Sequence, residues 1–211
     1  MKFTYDWFSG NIPNWKRWLA HLIGKPYVEI LEIGCFEGKA TVWLLQNVLT
    51  HGSSSITVVD TFDGGEDQKA LGIDVKELET TFRANIAELT TPHDILYVDG
   101  NELVAHECHS EFNYRVHIIK SDSWNVRADV VGNRFDMVYV DGSHLATNAL
   151  HDCLLAFHAA KQGGLIICDD YEWDVMPGLQ APKSGIDAFI SVFADRISVE
   201  ERGYQVLLRK L

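Results

Sequence analysis

Short, almost wholly apolar runs alternate with helical stretches along most of this 211-residue sequence. Runs of this length and composition predict strands at 27–34, 55–60, 115–122, 135–142 and 165–170. Helical stretches are predicted at about 39–50, 75–89, 145–161 and 185–195. Strands connected through helices form a parallel sheet with helices on both faces, and strands buried on both faces are apolar nearly throughout. The alternation therefore predicts a layered α/β protein.

The tail of the chain, ISVEERGYQVLLRKL, reads as two strands joined by a turn near Gly203. So short a connection leaves no room for a helical crossover, which predicts an antiparallel last strand. We therefore expect an α/β, Rossmann-like doubly wound sheet of seven strands, mostly parallel. The length suits one domain with a full core, and no linker interrupts the chain, so residues 1–211 are expected to form a single domain.

Two segments stand outside the alternation. The N-terminal segment, residues 1–24, contains a predicted helix with Pro13 near its start and aromatic and leucine side chains on one face. Residues 93–114 interrupt the pattern before the third strand and are predicted to be an insertion, forming a strand or short helix near the sheet edge. Its LYVDGN echoes the VYVDGS around Asp141, but we expect Asp99 to take no part in chemistry.

The charge balance limits the partners. Eighteen basic against thirty acidic residues give a net charge of −12, which disfavours nucleic acid and anionic membranes. No apolar run approaches the roughly 18 residues of a membrane span, and the first residues lack the apolar core of a signal peptide. Four cysteines without C-x-x-C spacing favour free thiols in a cytoplasmic protein. A neutral or cationic ligand fits, or one recruited with a metal; a homo-oligomer is left open.

The stretch LEIGCFEGKAT, residues 31–41, joins the first strand to the first helix of the alternation. Gly34 and Gly38 allow a sharp turn and a close approach of backbone to ligand. Asp60 ends the next strand, at the distance along the chain where a carboxylate can bind ribose hydroxyls. This combination favours a nucleotide-like cofactor, although glycines needed only for a tight turn remain the alternative.

The acids around this loop distinguish between cofactors. Glu32 and Glu37 place negative charge where a dinucleotide would lay its pyrophosphate, and no G-x-G-x-x-G is present. S-adenosylmethionine has no phosphate, carries a sulfonium and an ammonium, and has a ribose. The loop therefore favours S-adenosylmethionine over a nicotinamide cofactor.

Polar residues follow the third and fourth predicted strands, on the ligand edge of the sheet. Asp122 or Ser123 is placed to meet an adenine amino group, or to cap a helix. Asp141 is a candidate ligand or base, and His144 lies at the mouth of the following helix. The positive end of the helix dipole disfavours imidazolium there, so His144 is a candidate proton acceptor. The alternative is a D-G turn with Ser143 as helix cap.

Two adjacent aspartates, Asp169 and Asp170, end the fifth predicted strand. The neighbouring strand ends at Asp141, so three carboxylates are expected to converge. All-oxygen ligands suit Mg²⁺, Ca²⁺ or Mn²⁺ rather than zinc. The alternative is that one aspartate caps the next turn and the other is solvated.

Five stretches in this order carry a family resemblance: VEILEIGCFEGKAT, ITVVDTFDGG, IIKSDS, FDMVYVDGSH and GGLIICDDY. They resemble the motifs of class I S-adenosylmethionine-dependent methyltransferases, in the small-molecule O-methyltransferase branch that includes methyltransferase family 24 and proteins similar to macrocin O-methyltransferase. The first motif departs from the commonest form, with Phe36 where a middle glycine often sits.

The resemblance implies a site. The residues it assigns to the cofactor are Glu32, Gly34, Cys35, Phe36, Gly38, Asp60, Thr61, Phe62, Asp122, Ser123 and Asp141. In the metal-dependent members, the acids that match Asp141, Asp169 and Asp170 hold Mg²⁺. Asp141 and His144 are the candidate catalytic residues because of their place after the fourth strand. The expected reaction is methyl transfer to a hydroxyl of a small, oxygen-rich molecule of sugar or natural-product type, assisted by Mg²⁺. The alternatives are a metal-independent methyltransferase using His144 as base, a nucleotide-binding oxidoreductase, and a non-catalytic cofactor-binding module.

Overall fold

The strands form a single eight-stranded sheet. The computed structural model describes residues 1–65, 68–69, 72–99, 114–126, 132–173 and 181–211. Its strands are β1 Glu29–Ile33, β2 Ser55–Asp60, β3 Ile95–Asp99, β4 Val116–Lys120, β5 Phe135–Val140, β6 Ala160–Cys168, β7 Ile197–Arg202 and β8 Val206–Lys210. They are arranged in the order β3-β4-β2-β1-β5-β6-β8-β7. The strand order reverses at β1, with β2, β4 and β3 on one side of it and β5, β6, β8 and β7 on the other.

The pairing confirms the predicted fold class. The strands from β3 to β6 run parallel, whereas β8 lies antiparallel between β6 and β7. The count is eight rather than seven because the predicted insertion supplies β3, which pairs with β4 at the sheet edge. Within the insertion, residues 100–113 lie outside the described part of the chain.

Among the described residues, five α-helices cover the two faces of the sheet: α1 Ile12–Trp18, α2 Lys39–Asn47, α3 Leu78–Ala87, α4 Ala146–Ala159 and α5 Pro182–Val192. The connections include the short 3₁₀ helices Ser9–Asn11, Pro92–Asp94 and Ser123–Asn125. Both α1 and α5 have a proline in their first turn, where the missing N–H costs nothing. In the described ranges, no helix is long and apolar enough to span a bilayer.

Each face of the sheet has its own apolar core. Trp15 from α1, Leu44 from α2 and Phe82 from α3 pack on one face with alternate residues of the central strands. On the other face, α4 and α5 pack against the remaining set, with Phe157 and Phe189 fully buried. Because successive residues of a strand point to opposite faces, strands buried on both sides must be apolar throughout. This packing is the physical origin of the pattern from which the fold was predicted.

Candidate active site

The carboxyl ends of the central strands open into one cavity of about 590 Å³. Ligands of open α/β sheets bind at such a reversal of strand order. Residues that follow β1, β2, β4, β5 and β6 line it, and part of the N-terminal segment, including Tyr5, Trp7 and Asn11, lines it as well. The sheet thus gathers the motifs that the sequence separates by more than a hundred residues.

The two glycines of the first loop are required by contacts within the protein. Gly34 has φ +80°, and a Cβ there would lie 2.0 Å from the backbone oxygen of Asp141. Gly38 has φ +81°, and its Cβ would lie 2.7 Å from the ring of Phe82. The two glycines therefore let the loop pack closely against the Asp141 turn and against the buried ring of Phe82. Between them, Phe36 occupies the left-handed region at φ +50°, which is uncommon for a bulky residue.

Asp60 ties this loop to the end of β2. Its Oδ2 accepts hydrogen bonds from the amides of Cys35 at 2.7 Å and Phe36 at 3.3 Å. Its Oδ1 accepts one from the amide of Phe62 at 2.7 Å. Asp60 and Thr61 also line the cavity, whereas Phe62 is buried in the core. The carboxylate predicted to hold a ribose thus also fixes the loop beside it.

Glu32 lies fully buried at the floor of the cavity. Its Oε2 accepts a hydrogen bond from the Thr41 hydroxyl at 2.6 Å, but its Oε1 has no donor among the described residues. Burial raises the pKa of this carboxyl to about 8, and the Asp60 charge adds to the shift. A buried carboxyl oxygen without a donor is suited to a cationic group such as an ammonium. The residues present therefore fit the amino end of S-adenosylmethionine.

Glu37 lies outside the cavity lining. It is 6% exposed, and its carboxylate accepts hydrogen bonds from the backbone amide and hydroxyl of Thr4 at 2.5 and 2.7 Å. Of the two acids expected beside a pyrophosphate, only Glu32 lines the cavity, because Glu37 faces the N-terminal segment.

The polar residues after β4 have local roles as well. Asp122 is exposed, and its Oδ1 accepts a hydrogen bond from the Trp124 amide at 2.9 Å, capping the 3₁₀ helix. The capping interpretation is thereby confirmed for Asp122. Both Asp122 and Ser123 also line the cavity.

Three side chains come together at the ends of β5 and β6. Ligand atoms of Asp141, His144 and Asp170 all lie within 4.8 Å of one another. His144 Nε2 is 2.7 Å from Asp170 Oδ2, and the Tyr204 hydroxyl donates to Asp170 Oδ1 at 2.6 Å. Two carboxylates and an imidazole make a suitable set for a divalent cation.

The cluster differs from the predicted set in one member. Asp169 lies outside it: its Oδ2 accepts hydrogen bonds from Gln205 Nε2 at 2.8 Å and from the Tyr139 hydroxyl. Asp170 has φ +56°, so the chain turns sharply between the two aspartates. This turn sends one carboxylate towards His144 and the other into the protein, which the DD pattern alone does not reveal.

Tyr139 links Asp141 to Asp169. Its hydroxyl lies 2.8 Å from Asp141 Oδ2 and also contacts Asp169 Oδ2, although it has one proton to donate. Burial, with neighbouring carboxylates, raises the pKa of Asp169 to about 6 and that of Asp141 well above its ordinary value. The acids thus repel one another, and a bound cation would relieve that repulsion.

Sequence reasoning missed several residues of this site. Tyr139 stands two residues before Asp141, a spacing that puts both on one face of a strand and could have revealed it. Asn11, Tyr204 and Gln205 come from the N-terminal segment and the β7–β8 turn, and their sequence context carries no signal of their place here.

Comparisons with known proteins agree with this geometry. A family model described as a methyltransferase domain, family 24, matches residues 31–171. No curated protein matches the sequence significantly. Among solved structures, one from Clostridium thermocellum, provisionally described as an rRNA methylase, has a TM-score of 0.64 at 12% identity, covering 95% of this chain and 97% of that one.

Two further similar structures are an O-methyltransferase and a methyltransferase of a biosynthetic pathway. The O-methyltransferase NovP gives a TM-score of 0.62 at 15% identity, covering 95% of this chain and 79% of its own. MycE of mycinamycin biosynthesis, in complex with Mg, SAH and mycinamycin VI, gives 0.58 at 16%, covering 98% of this chain and 50% of its own. At such identities these likenesses show the fold.

The family match runs from β1 to Tyr171 and so covers more than half of the chain, including the glycine loop, Asp60, the Asp141 turn and the DD pair. It decides against the oxidoreductase interpretation. The chain belongs to methyltransferase family 24, within the class I S-adenosylmethionine-dependent methyltransferases.

Proposed function

We propose that this protein transfers a methyl group from S-adenosylmethionine to a hydroxyl of a small, oxygen-rich molecule, assisted by a divalent cation such as Mg²⁺. The observation that carries the proposal is the cluster of Asp141, His144 and Asp170 in the same cavity as the glycine loop. The likeness to MycE, solved with Mg and SAH, supports the cation. The net charge of −12 favours a small acceptor over RNA.

The cofactor would lie with its ammonium near Glu32 and its ribose near Asp60, which puts its methionine end beside the Asp141 turn. Sulfonium is a good leaving group, so the protein's main task is to align donor and acceptor. Residues of the N-terminal segment and of the strand ends line the cavity together and would contact both the cofactor and the acceptor. Thr41 holds Glu32 in place through its hydroxyl.

Without a bound cation, His144 would accept the proton of the acceptor's hydroxyl. Asp170, 2.7 Å from His144 Nε2, would hold the ring and stabilise the imidazolium as the proton arrives. With a cation bound, Asp141, His144 and Asp170 would hold it, and Asp169 would orient Asp141 through Tyr139. When bound, a divalent cation lowers the pKa of a coordinated hydroxyl and fixes its position.

The test combines binding with turnover. Mg²⁺ added to the complex with S-adenosylhomocysteine should raise the melting temperature of the wild type but not of Asp141→Asn or Asp170→Asn. Asp99→Asn is the matched control, since the exposed Asp99 ends β3 in a similar YVDG sequence. Methyl transfer from labelled S-adenosylmethionine to a panel of sugar and phenolic hydroxyl compounds should stop on chelation.

The pairing of His144 with Asp170 also favours a second candidate, metal-independent transfer with His144 as base. In that case chelation leaves turnover intact, while His144→Ala lowers it by about a hundredfold or more. Affinity for S-adenosylhomocysteine should stay unchanged in His144→Ala under both candidates. Turnover that survives both chelation and His144→Ala would contradict the two of them.

A further inference from the structure

We infer that Asp152, on the buried face of α4, is the residue that recognises the 6-amino group of the cofactor's adenine. The inference rests on the proposed function, because it assumes that S-adenosylmethionine occupies the cavity. No motif in the sequence pointed to Asp152, which lies in the middle of a helix.

The strand order locates the adenine. The strands run β4-β2-β1-β5, so Asp60 at the end of β2 stands between β4 and the glycine loop of β1. With the ribose at Asp60 and the amino end at Glu32, the adenine extends towards the end of β4. The 3₁₀ helix Ser123–Asn125 packs there against α4. That corner of the cavity is lined by Ser121, Asp122, Ser123, Gly142, Leu145, Asn148 and Asp152.

Most polar groups in this corner already have partners. The Ser121 hydroxyl donates to the backbone oxygen of Asp122 at 3.1 Å. Asn148 uses both ends of its amide: Nδ2 donates to Ser143 Oγ at 3.0 Å, and Oδ1 accepts from Trp124 Nε1 at 3.4 Å. These side chains are therefore engaged before a ligand arrives.

Asp152 is different. It is 2% exposed, yet its Oδ1 has no hydrogen-bond donor among the described residues. A Cβ on Gly142 would lie 2.8 Å from Asp152 Oδ2, so the glycine makes room for this side chain. A buried acceptor without a donor is costly, and an amino group in the cavity would remove that cost.

The charge state of Asp152 suits an acceptor. Burial raises its pKa to about 6, with Ser123 and His151 opposing the shift. At neutral pH it is therefore mostly ionised and can only accept hydrogen bonds. Adenine presents an amino donor at position 6, whereas hypoxanthine presents a carbonyl oxygen. Asp152 should accept the first and repel the second.

The experiment compares two ligands that differ at this position, S-adenosylhomocysteine and S-inosylhomocysteine, by titration calorimetry at neutral pH. The wild type should prefer the adenosyl ligand by about tenfold to a hundredfold. Asp152→Asn can donate from its amide to the carbonyl, so the preference should collapse or invert. Asp122→Asn tests the rival acceptor and should leave the preference close to that of the wild type.

Three results would overturn the inference: equal binding of both ligands by the wild type, an unchanged preference in Asp152→Asn, or a preference that changes only in Asp122→Asn. Equal weakening of both ligands by Asp152→Asn would mark a merely structural residue and count against it as well. If Asp152→Asn fails to fold, the wild-type preference decides. Binding of neither ligand by the wild type would instead contradict the proposed function.

Discussion

At the scale of single residues, acids that look alike in the sequence do different work. Asp60 organises backbone amides, and Glu37 holds the N-terminal segment. One carboxyl oxygen of Glu32 has no donor among the residues that the structure describes. Asp169 and Asp170 are adjacent but point to different partners. The surroundings decide the role of each acid, because they set its hydration, its hydrogen bonds and its charge.

Glu32 gives stability a defined pH dependence. Its pKa rises from an ordinary 4.5 to about 8 in the folded chain, so between these values the folded state binds more protons than the unfolded state. Ionisation of Glu32 is therefore harder in the folded chain, and the free energy of unfolding falls as the pH rises through that window. Glu32→Gln removes this pH dependence, so the free energy of unfolding should rise relative to the wild type between about pH 5 and about pH 8. Urea denaturation at both pH values checks this, and a constant difference would contradict it.

Alanine substitutions at Gly34 and Gly163 should distinguish the cost of backbone strain from the cost of a steric collision. Both glycines have positive φ, +80° and +77°, but a Cβ at Gly163 would meet nothing within 4 Å. Gly163→Ala should cost about 1 kcal/mol from backbone strain alone. Gly34→Ala should cost about 4 kcal/mol or more, since its Cβ collides with the Asp141 turn. Urea denaturation measures both, and similar losses would argue against the collision.

At the scale of elements, the first eight residues are fixed to the glycine loop and its neighbours. Lys2 exchanges hydrogen bonds with the Asn85 amide through its backbone, and Asp6 pairs with Lys39 at 2.6 Å. The Trp7 ring lies 4.9 Å from that of Phe36, whose left-handed backbone presents it towards the segment. The wall of the cavity and the loop beneath it thus form one connected unit.

Glu37 should be the strongest single link in this unit. Glu37→Ala removes the acceptor for the amide and hydroxyl of Thr4, at a cost of about 2–4 kcal/mol. Thr4→Val, the matched variant, loses only the hydroxyl and should cost about 1 kcal/mol. Limited chymotrypsin digestion should cut near Tyr5 and Trp7 faster in Glu37→Ala than in Thr4→Val. Equal cutting rates in the two variants would show that Glu37 does not hold the segment.

At the scale of the whole molecule, distant parts of the chain meet behind the candidate cation site. Trp15 Nε1 donates to Gln205 Oε1 at 2.8 Å, and Gln205 Nε2 donates to Asp169 at 2.8 Å. A buried path of hydrogen bonds therefore runs from α1 through the turn before β8 to the acids of the site. Buried polar groups connected in this way depend on one another for their hydrogen bonds.

Trp15→Phe should break that path while keeping an aromatic core residue. Gln205 loses its donor in a fully buried position, which should cost about 1–3 kcal/mol. Trp18→Phe is the control, since Trp18 Nε1 donates at 3.0 Å to the partly exposed Glu201. Its loss should be smaller, because water can replace that bond. Thermal unfolding compares the two, with S-adenosylhomocysteine affinity expected to stay unchanged in both. A larger loss in Trp18→Phe would contradict the buried path.

The sequence by itself determined the fold class, the parallel core, the antiparallel last strand and the edge of the sheet where the site lies. It could do so because apolar periodicity and strand ends are local properties, written in neighbouring residues. For β3, the sequence predicted either a strand or a short helix, because its five residues are too few to distinguish the two patterns.

Only the tertiary structure decided which side chains meet. The candidate cation cluster contains His144 where the sequence predicted Asp169. Glu37 faces the N-terminal segment and not the cavity. Tyr204 and Gln205 contact the aspartates of the site. The tertiary structure also singled out Asp152, which the sequence presents as an ordinary helical acid. The direction of a side chain beyond a strand end depends on partners far along the chain, such as Gln205, 36 residues from Asp169. Contacts between residues so far apart form when the chain folds, and no local pattern encodes them.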